Sequence, residues 1–434
     1  MYKVKQIFFF LIILHTSMVA QEKMTLQQCI EYGITHNLTL RQMQGERELL
    51  QTDALMIKNN RLPQVDAGMT QRFNIGRSLN RENVYEDINS HITDMNIKIE
   101  MPLFDGFATR YMLKENKGLI HAAEADRQAK TEELRLNISN LFFRAAIYKE
   151  ILFTANEQRQ LSEEQIKITK KRIDAGMMSK QVLLELEARL ASDELKITET
   201  KGSIDFALID LAQLMNYTGD PDDFDIEIGT ISDSDTTLVH LGGADVGLFP
   251  QIKAMEYRME SEKWNYKRIK TQVMSMLSLG GSIGSSYYKH SGIAHASFDE
   301  QLRNNQQTYI YAALRIPIFD KFNTRNSLRR KNIEIRNQSF ALQETKSNLY
   351  AEILKAQKEL LNAQQKLVAA HKAQKAHEEA FRYAEERFSA GKLSVYELLQ
   401  ARQQLASSQS QSIQAKYETA YKQKMYDYYM QYNL

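Results

Sequence analysis

Met101–Arg110, MPLFDGFATR, returns as Ile316–Arg325, IPIFDKFNTR, with Pro, Phe, Asp, Phe, Thr and Arg kept in both copies. Each copy closes an alternating run and opens a long polar run with helical periodicity. Proline removes a ladder donor, so the strand is expected to end at Pro102 and again at Pro317. Asp105 and Asp320, with Gly106 in the first copy, supply turn chemistry, and the following threonine reads as a helix N-cap. A strand-to-helix corner built twice points to a duplicated chain, which must be settled before anything else.

A second pair keeps the same register. Arg172-Ile-Asp-Ala175-Gly176-Met177-Met-Ser179 recurs as Arg387-Phe-Ser-Ala390-Gly391-Lys392-Leu-Ser394. The offset from Gly176 to Gly391 equals the offset from Pro102 to Pro317. Leu190-Ala-Ser192 matches Leu405-Ala-Ser407 on that offset too. Corner and turn lie far apart in each half, yet no gap intervenes between them. A continuous helix joining them would forbid insertions.

The first repeat is expected over 21–218, with a helix, a strand pair at 64–76 and 93–102, and a helical hairpin at 107–217. Thr25 and Gln28 form a capping box for the first helix, which runs to about Asn59. Segment 219–248 joins the halves. The second repeat covers 249–434, with strands at 276–287 and 308–317 and a hairpin at 322–434. The stretches 77–91 and 288–307 read as polar loops. From Phe107 to about Asp174 there is no proline, and a helix of that span would be roughly 100 Å long at 1.5 Å per residue. Gly176 and Gly391 read as C-caps, and Ser179 and Ser394 as the caps of the return helices.

The 434 residues carry 56 Lys plus Arg against 54 Asp plus Glu, without the basic excess of a nucleic-acid binder. Residues 1–20 have a basic start, a short apolar core and an Ala20 end, the pattern of a secretory signal peptide. Cys29, the single cysteine, reads as a buried small apolar residue. The histidines are scattered, with no metal-ligand spacing, no phosphate-cradling glycine loop precedes a helix, and no nucleophile motif stands out. The sequence therefore implies no enzyme and no cofactor.

The strands alternate with a period of two. Val65, Ala67, Met69 and Phe73 oppose Asp66, Thr70, Arg72 and Asn74; Met95, Ile97, Ile99 and Met101 oppose Asn96, Lys98 and Glu100. The second repeat sets Leu277, Leu279 and Ile283 against Ser278 and Ser282, and aligns Ile310, Ala312 and Leu314. Such strands fit a tilted crossing of a bilayer, with lipid on one face and lumen on the other. A soluble sheet with one wet face gives the same alternation. Four strands do not close a barrel, which needs roughly eight or more, and an open edge in lipid leaves backbone groups unpaired. Two, three or four copies would supply eight, twelve or sixteen strands.

Together the opening Thr-Leu-x-x-x-Ile-Glu, the doubled Pro-Leu/Ile-Phe-Asp corner and the doubled Arg-x-x-Ala-Gly-x-x-Ser hairpin turn resemble the TolC family of outer-membrane efflux proteins over nearly the whole mature chain. The resemblance implies a mostly α fold with membrane β. It implies a homotrimer with a twelve-strand outer-membrane barrel, four strands per chain, continued by a long periplasmic α-helical barrel. It implies an exit duct of a tripartite efflux or type I secretion system. The hairpin turns Ala175–Ser179 and Ala390–Ser394 would dock a periplasmic adaptor (membrane fusion) protein coupled to an inner-membrane transporter. Acidic residues early in the last return helix line the family's closed tunnel end; here the matching positions are Glu397 and Gln400, so one acid is kept and one is lost. Glu185 holds the place of Gln400 in the first repeat. The alternative of another class is a structural or adhesive coiled-coil protein of the cell surface, which needs the long helices but not the strands.

Overall fold

A computed structural model describes residues 23–79, 83–87, 89–229, 245–290 and 294–432. The expected signal peptide over 1–20, together with Ile231, Gly242 and Gly243 of the middle segment, lies outside the described residues. The first half runs β1 (Lys23–Met24), α1 (Leu26–His36), α2 (Leu38–Asn59), β2 (Gln64–Asn74), β3 (Arg77–Leu79), β4 (Tyr85–Asp87), β5 (Ser90–Phe104), α3 (Ala108–Asp174) and α4 (Lys180–Met215). After β6 (Asp225–Ile226), the second half runs α5 (Pro250–Lys270), β7 (Met276–His290), α6 (Phe298–Asn304), β8 (Gln307–Arg315), α7 (Asn323–Ser389) and α8 (Val395–Met430).

The helices keep the repeat residue for residue. α3 and α7 each have 67 residues, and α4 and α8 each have 36. A single sheet of order β2-β5-β7-β8 takes two strands from each half, all antiparallel. The β5–β7 pair therefore joins the repeats. It is also long, from Ser90↔His290 to Phe104↔Leu277.

The chain divides into two compact units that share α3 and α7. One comprises the described parts of Met1–Arg41, Lys130–Asp245 and Ala351–Leu434. Near the hairpin turns its core is Ile166, Leu186, Phe381, Phe388, Val395, Leu398 and Leu405. Away from the turns, the parallel pair β1–β6 and the buried Phe224 and Ile226 make a small ordered patch. Tyr217 packs on Phe224 with ring centroids 5.2 Å apart, and Lys149 pairs with Asp225. Cys29 is fully buried in this unit, and burial pushes its thiol up to about 12, well above the reactive range.

The other unit, Gln42–Ala129 and Val246–Tyr350, holds the four-stranded sheet. Its helices α3 and α5 touch closely at Gly118, where an added Cβ would lie 3.1 Å from Ser261 Cβ. Glu115 ties them by accepting from Asn265 Nδ2 at 2.7 Å and Arg268 Nε at 2.8 Å.

Several local expectations are corrected. The opening helix is two helices, because Asn37 breaks it: its Oδ1 accepts the Leu40 N–H at 3.1 Å and its Nδ2 donates to the Leu214 carbonyl at 3.1 Å. That competition of a short polar side chain with the helical ladder is the usual way Asn ends a helix. The stretch 77–91 contains the small pair β3–β4, and 288–307 contains α6, capped by Ser297 at the Glu300 N–H. Both elements are too short to leave a periodic signal. The first strand does not stop at Pro102. β5 continues to Phe104 with a register shift between Pro102 and Phe104, so the missing donor is absorbed by an irregularity. In the second copy β8 ends at Arg315, just before Ile316 and Pro317.

Candidate functional site

The sheet has one apolar face. Register puts Val65, Ile99, Gly281 and Ile310 in one cross-strand row, and Ala67, Ile97 and Ile283 in the next. Met101, Leu279 and Ala312 form another row on the same side. These side chains face outward: Val65 is 62% exposed, Met69 62% and Ile310 81%. The opposite face carries rows such as Asp66, Lys98, Ser282 and Tyr309, with Ser286 donating to Asp94 at 2.6 Å. Soluble antiparallel sheets turn their apolar face to a core. This one leaves it uncovered, as a lipid-facing wall requires. Within the described chain β2 and β8 are edge strands with one neighbour each.

The corners are built twice to the same plan. Thr109 donates its N–H to Asp105 Oδ2 at 2.7 Å and its hydroxyl to the same oxygen. Thr324 donates its N–H to Asp320 Oδ2 at 2.7 Å. The aspartates are thus the capping acceptors, and the threonines expected to cap are donors inside the first turn. An aspartate serves here because it accepts from orphan N–H groups and suits the positive helix end. Gly106 and Phe107 have φ of +67° and +69°, and Lys321 and Phe322 +56° and +62°. Two successive left-handed residues at each corner, three of them not glycine, are held by the surrounding contacts. Phe104 meets Phe107 edge to face at 5.2 Å, and Phe319 meets Phe322 at 5.4 Å, both with ring planes at 89°.

The hairpin turns are also twins. Gly176 N–H bonds Ile173 O at 2.8 Å and Met177 N–H bonds Arg172 O at 2.8 Å; Gly391 and Lys392 bond Phe388 and Arg387 the same way at 3.0 and 2.8 Å. Gly176 (φ +72°) and Gly391 (φ +70°) take the left-handed position of this Schellman closure. Ala175, Gly176, Met177 and Ser179 are exposed, as are Ala390, Gly391, Lys392 and Ser394. The caps that follow differ. Ser394 Oγ accepts the Glu397 N–H at 3.3 Å and Glu397 Oε2 accepts the Ser394 N–H at 3.0 Å, a full capping box. Ser179 sits at the same position but makes no side-chain cap bond, and Val182, standing where Glu397 stands, has no carboxylate to complete a box. Glu397 is exposed, and its bonds from Ser394 hold its carboxyl below the usual range. Gln400 is exposed one turn further on, and Glu185 accepts from Gln181 Nε2 at 3.0 Å.

Sequence reasoning misses one group. Arg402 of α8 is fully buried. It donates to Gln158 Oε1 at 2.7 Å and Ser162 Oγ at 2.8 Å of α3, to the Gln158 carbonyl, and to Asp193 Oδ2 of α4 at 3.1 Å. Asp193 also accepts Ser162 Oγ at 2.5 Å and pairs with Arg189 at 3.1 Å. Burial pushes the guanidinium down to about 10, partly opposed by Asp193. A signal exists: Leu398, Arg402 and Leu405 share the i, i+4, i+7 stripe that faces a core.

Membrane-facing sheet and paired long hairpins together define a β-and-α channel-type outer-membrane fold. The sequence matches the outer membrane efflux protein family over residues 33–217 and 249–424, and the chain belongs to that family. It is accordingly a protein of the cell outer membrane, with a periplasmic helical extension. No curated protein matches it. Among solved structures it is similar to CusC (TM-score 0.78, 14% identity, 94% of this chain and 92% of that one), described as forming a transmembrane channel. It is also similar to the outer membrane protein VceC of Vibrio cholerae (0.76, 16%, 93% and 95%). A third is the CmeC outer membrane channel of Campylobacter jejuni (0.73, 17%, 92% and 84%). At these identities the likeness speaks to fold alone.

Proposed function

We propose that this protein is a homotrimeric exit duct, a passive conduit from the periplasm to the outside. The observation that carries the reading is a four-stranded sheet with an outward apolar face and two edges that lack a partner within the described chain. In lipid each unpaired backbone group costs several kcal/mol. Pairing β8 of one copy with β2 of the next removes both edges, and three copies give twelve strands, enough for a bore. The exposed turns at Gly176 and Gly391 are the proposed docking points for a periplasmic adaptor coupled to an inner-membrane pump. Glu397 and Gln400, beside the second turn, are the proposed gate positions. The family's efflux activity needs no reacting group in the chain, and the pump supplies the energy.

The test is single-channel recording of the purified protein in planar bilayers, with its mass measured in detergent. Stepwise conductance from a trimer is expected. A monomer that inserts without conducting, or a protein that never enters lipid, defeats the proposal.

A further inference from the structure

A groove of about 980 Å³ lies where α5 leads into β7 and β8 leads into α7. Lys270, Arg325, Arg329 and Arg336 line it. The one carboxylate of the lining, Asp320, is already engaged by the Thr324 N–H at 2.7 Å. None of the four cations has an acidic partner among the described residues, whereas their neighbours Arg330 and Lys331 pair with Glu334 and Glu262. Arg325 and Arg329 stand at i and i+4 on one helix, a like-charge spacing that weakens a helix unless something neutralises it. These four cations are exposed and share one cavity, which makes it a basic groove suited to an anion with several acceptor oxygens. Guanidinium groups match the oxygens of a phosphate in particular, by paired hydrogen bonds.

The groove is not purely polar. Phe322 lines it, Phe319 packs on Phe322, and Phe319 and the neighbouring Ile318 are 70% and 96% exposed. Inorganic phosphate would use only the cations. A phosphate carried on an acyl chain would use the cations and the apolar rim together. The strands that flank the groove, β7 and β8, carry the outward apolar face, so the groove sits at the edge of the sheet that faces lipid. Basic clusters directly beside membrane-crossing elements bind acidic headgroups.

We infer that this groove, with its lining of Arg325, Arg329, Arg336 and Lys270, holds the phosphate headgroup of an anionic phospholipid from the adjoining leaflet. The inference rests on the membrane-barrel reading above. It is tested with the full-length protein in nanodiscs of phosphatidylcholine doped with phosphatidylglycerol, the lipids retained by the protein being counted by native mass spectrometry. Wild type should retain phosphatidylglycerol in preference to phosphatidylcholine. R325Q/R329Q should lose about tenfold of that preference, with single-channel conductance unchanged. K270Q/R336Q, which leaves the first turn of α7 untouched, should lose a similar amount. Equal retention by wild type and both variants, in channels that conduct, overturns the inference while leaving the duct intact. Competition by millimolar inorganic phosphate as strong as that by phosphatidylglycerol assigns the groove to free phosphate and overturns it too. Loss of the oligomer in either variant would make the groove a subunit contact, again against the inference. Failure of wild type to insert or conduct would instead sink the duct reading, and this inference with it.

Discussion

Removing the carboxylate of Asp193 should be among the most costly single changes near the hairpin turns. Arg402 is fully buried and Asp193 only 6% exposed, so neither recovers solvation when its partner goes. In D193A the guanidinium keeps Gln158 and Ser162 but loses its buried counter-charge, and Ser162 Oγ loses its acceptor. Breaking one side of such a buried pair costs about 3–5 kcal/mol. For a unit of this size each kcal/mol moves the melting temperature by about 2–4 °C, so a fall of about 6–20 °C is expected. D193N keeps an acceptor and should lose less. The assay is thermal unfolding in detergent, followed by far-ultraviolet circular dichroism. The double variant R402M/D193L replaces both charges with apolar groups, a change that is often neutral at buried pairs, and should recover most of the loss. A D193A protein that melts within about 1 °C of wild type would refute the reasoning. So would a double variant no more stable than D193A, because the cost would then lie in packing and not in an orphaned charge.

Three further outcomes follow from the geometry. At the second turn, E397Q keeps the capping box, because Gln serves at that position, while E397A removes box and charge together. If the carboxylate gates, both raise conductance; a change in E397A alone assigns the effect to the cap. G391A should cost about 1–2 kcal/mol from its left-handed backbone alone, because an added Cβ meets nothing within 4 Å. G176A should cost the same, and thermal melts of both variants check it. Burial raises the Tyr429 phenol to about 12. A raised folded value stabilises fully below about pH 10, the unfolded value, and that contribution is lost as pH rises through the folded value of about 12. Y429F should therefore unfold less readily in that alkaline window, read by tyrosinate absorbance.

Much of the architecture is legible in the sequence because it is local or repeated. Alternation names the strand faces, since side-chain direction has a period of two regardless of partner. Gly176 and Gly391 announce the turns, because few other residues take that conformation at low cost. The corner caps mislead because Asp and Thr stand close together and each is a good cap. Only the three-dimensional turn, with two left-handed residues between them, makes the aspartate the acceptor. The β5–β7 pairing is invisible for another reason: it joins segments from opposite halves of the chain and depends on which edges meet. Arg402 is hidden by its type. A charged residue in an apolar stripe reads as an exception until its partners on two other helices are seen.

The single offset that marks the duplication has a physical cause. It holds through α3 and α7 and through both return helices. It fails at Gln64 and Met276, where β2 and β7 begin, because the stretch from strand start to corner is shorter in the first copy (Gln64 to Pro102) than in the second (Met276 to Pro317). Loops at strand ends absorb insertions, but these helices have both ends fixed. An aspartate cap holds one end and a Schellman glycine the other, in each copy. One added residue inside α3 would lengthen it by about 1.5 Å and rotate everything beyond by about 100°. If the turn stayed in place, Gln158 and Ser162 could not both reach Arg402 from such a helix. The register of the repeat is thus set by side-chain contacts between hairpins, and not by the corners or the turns alone.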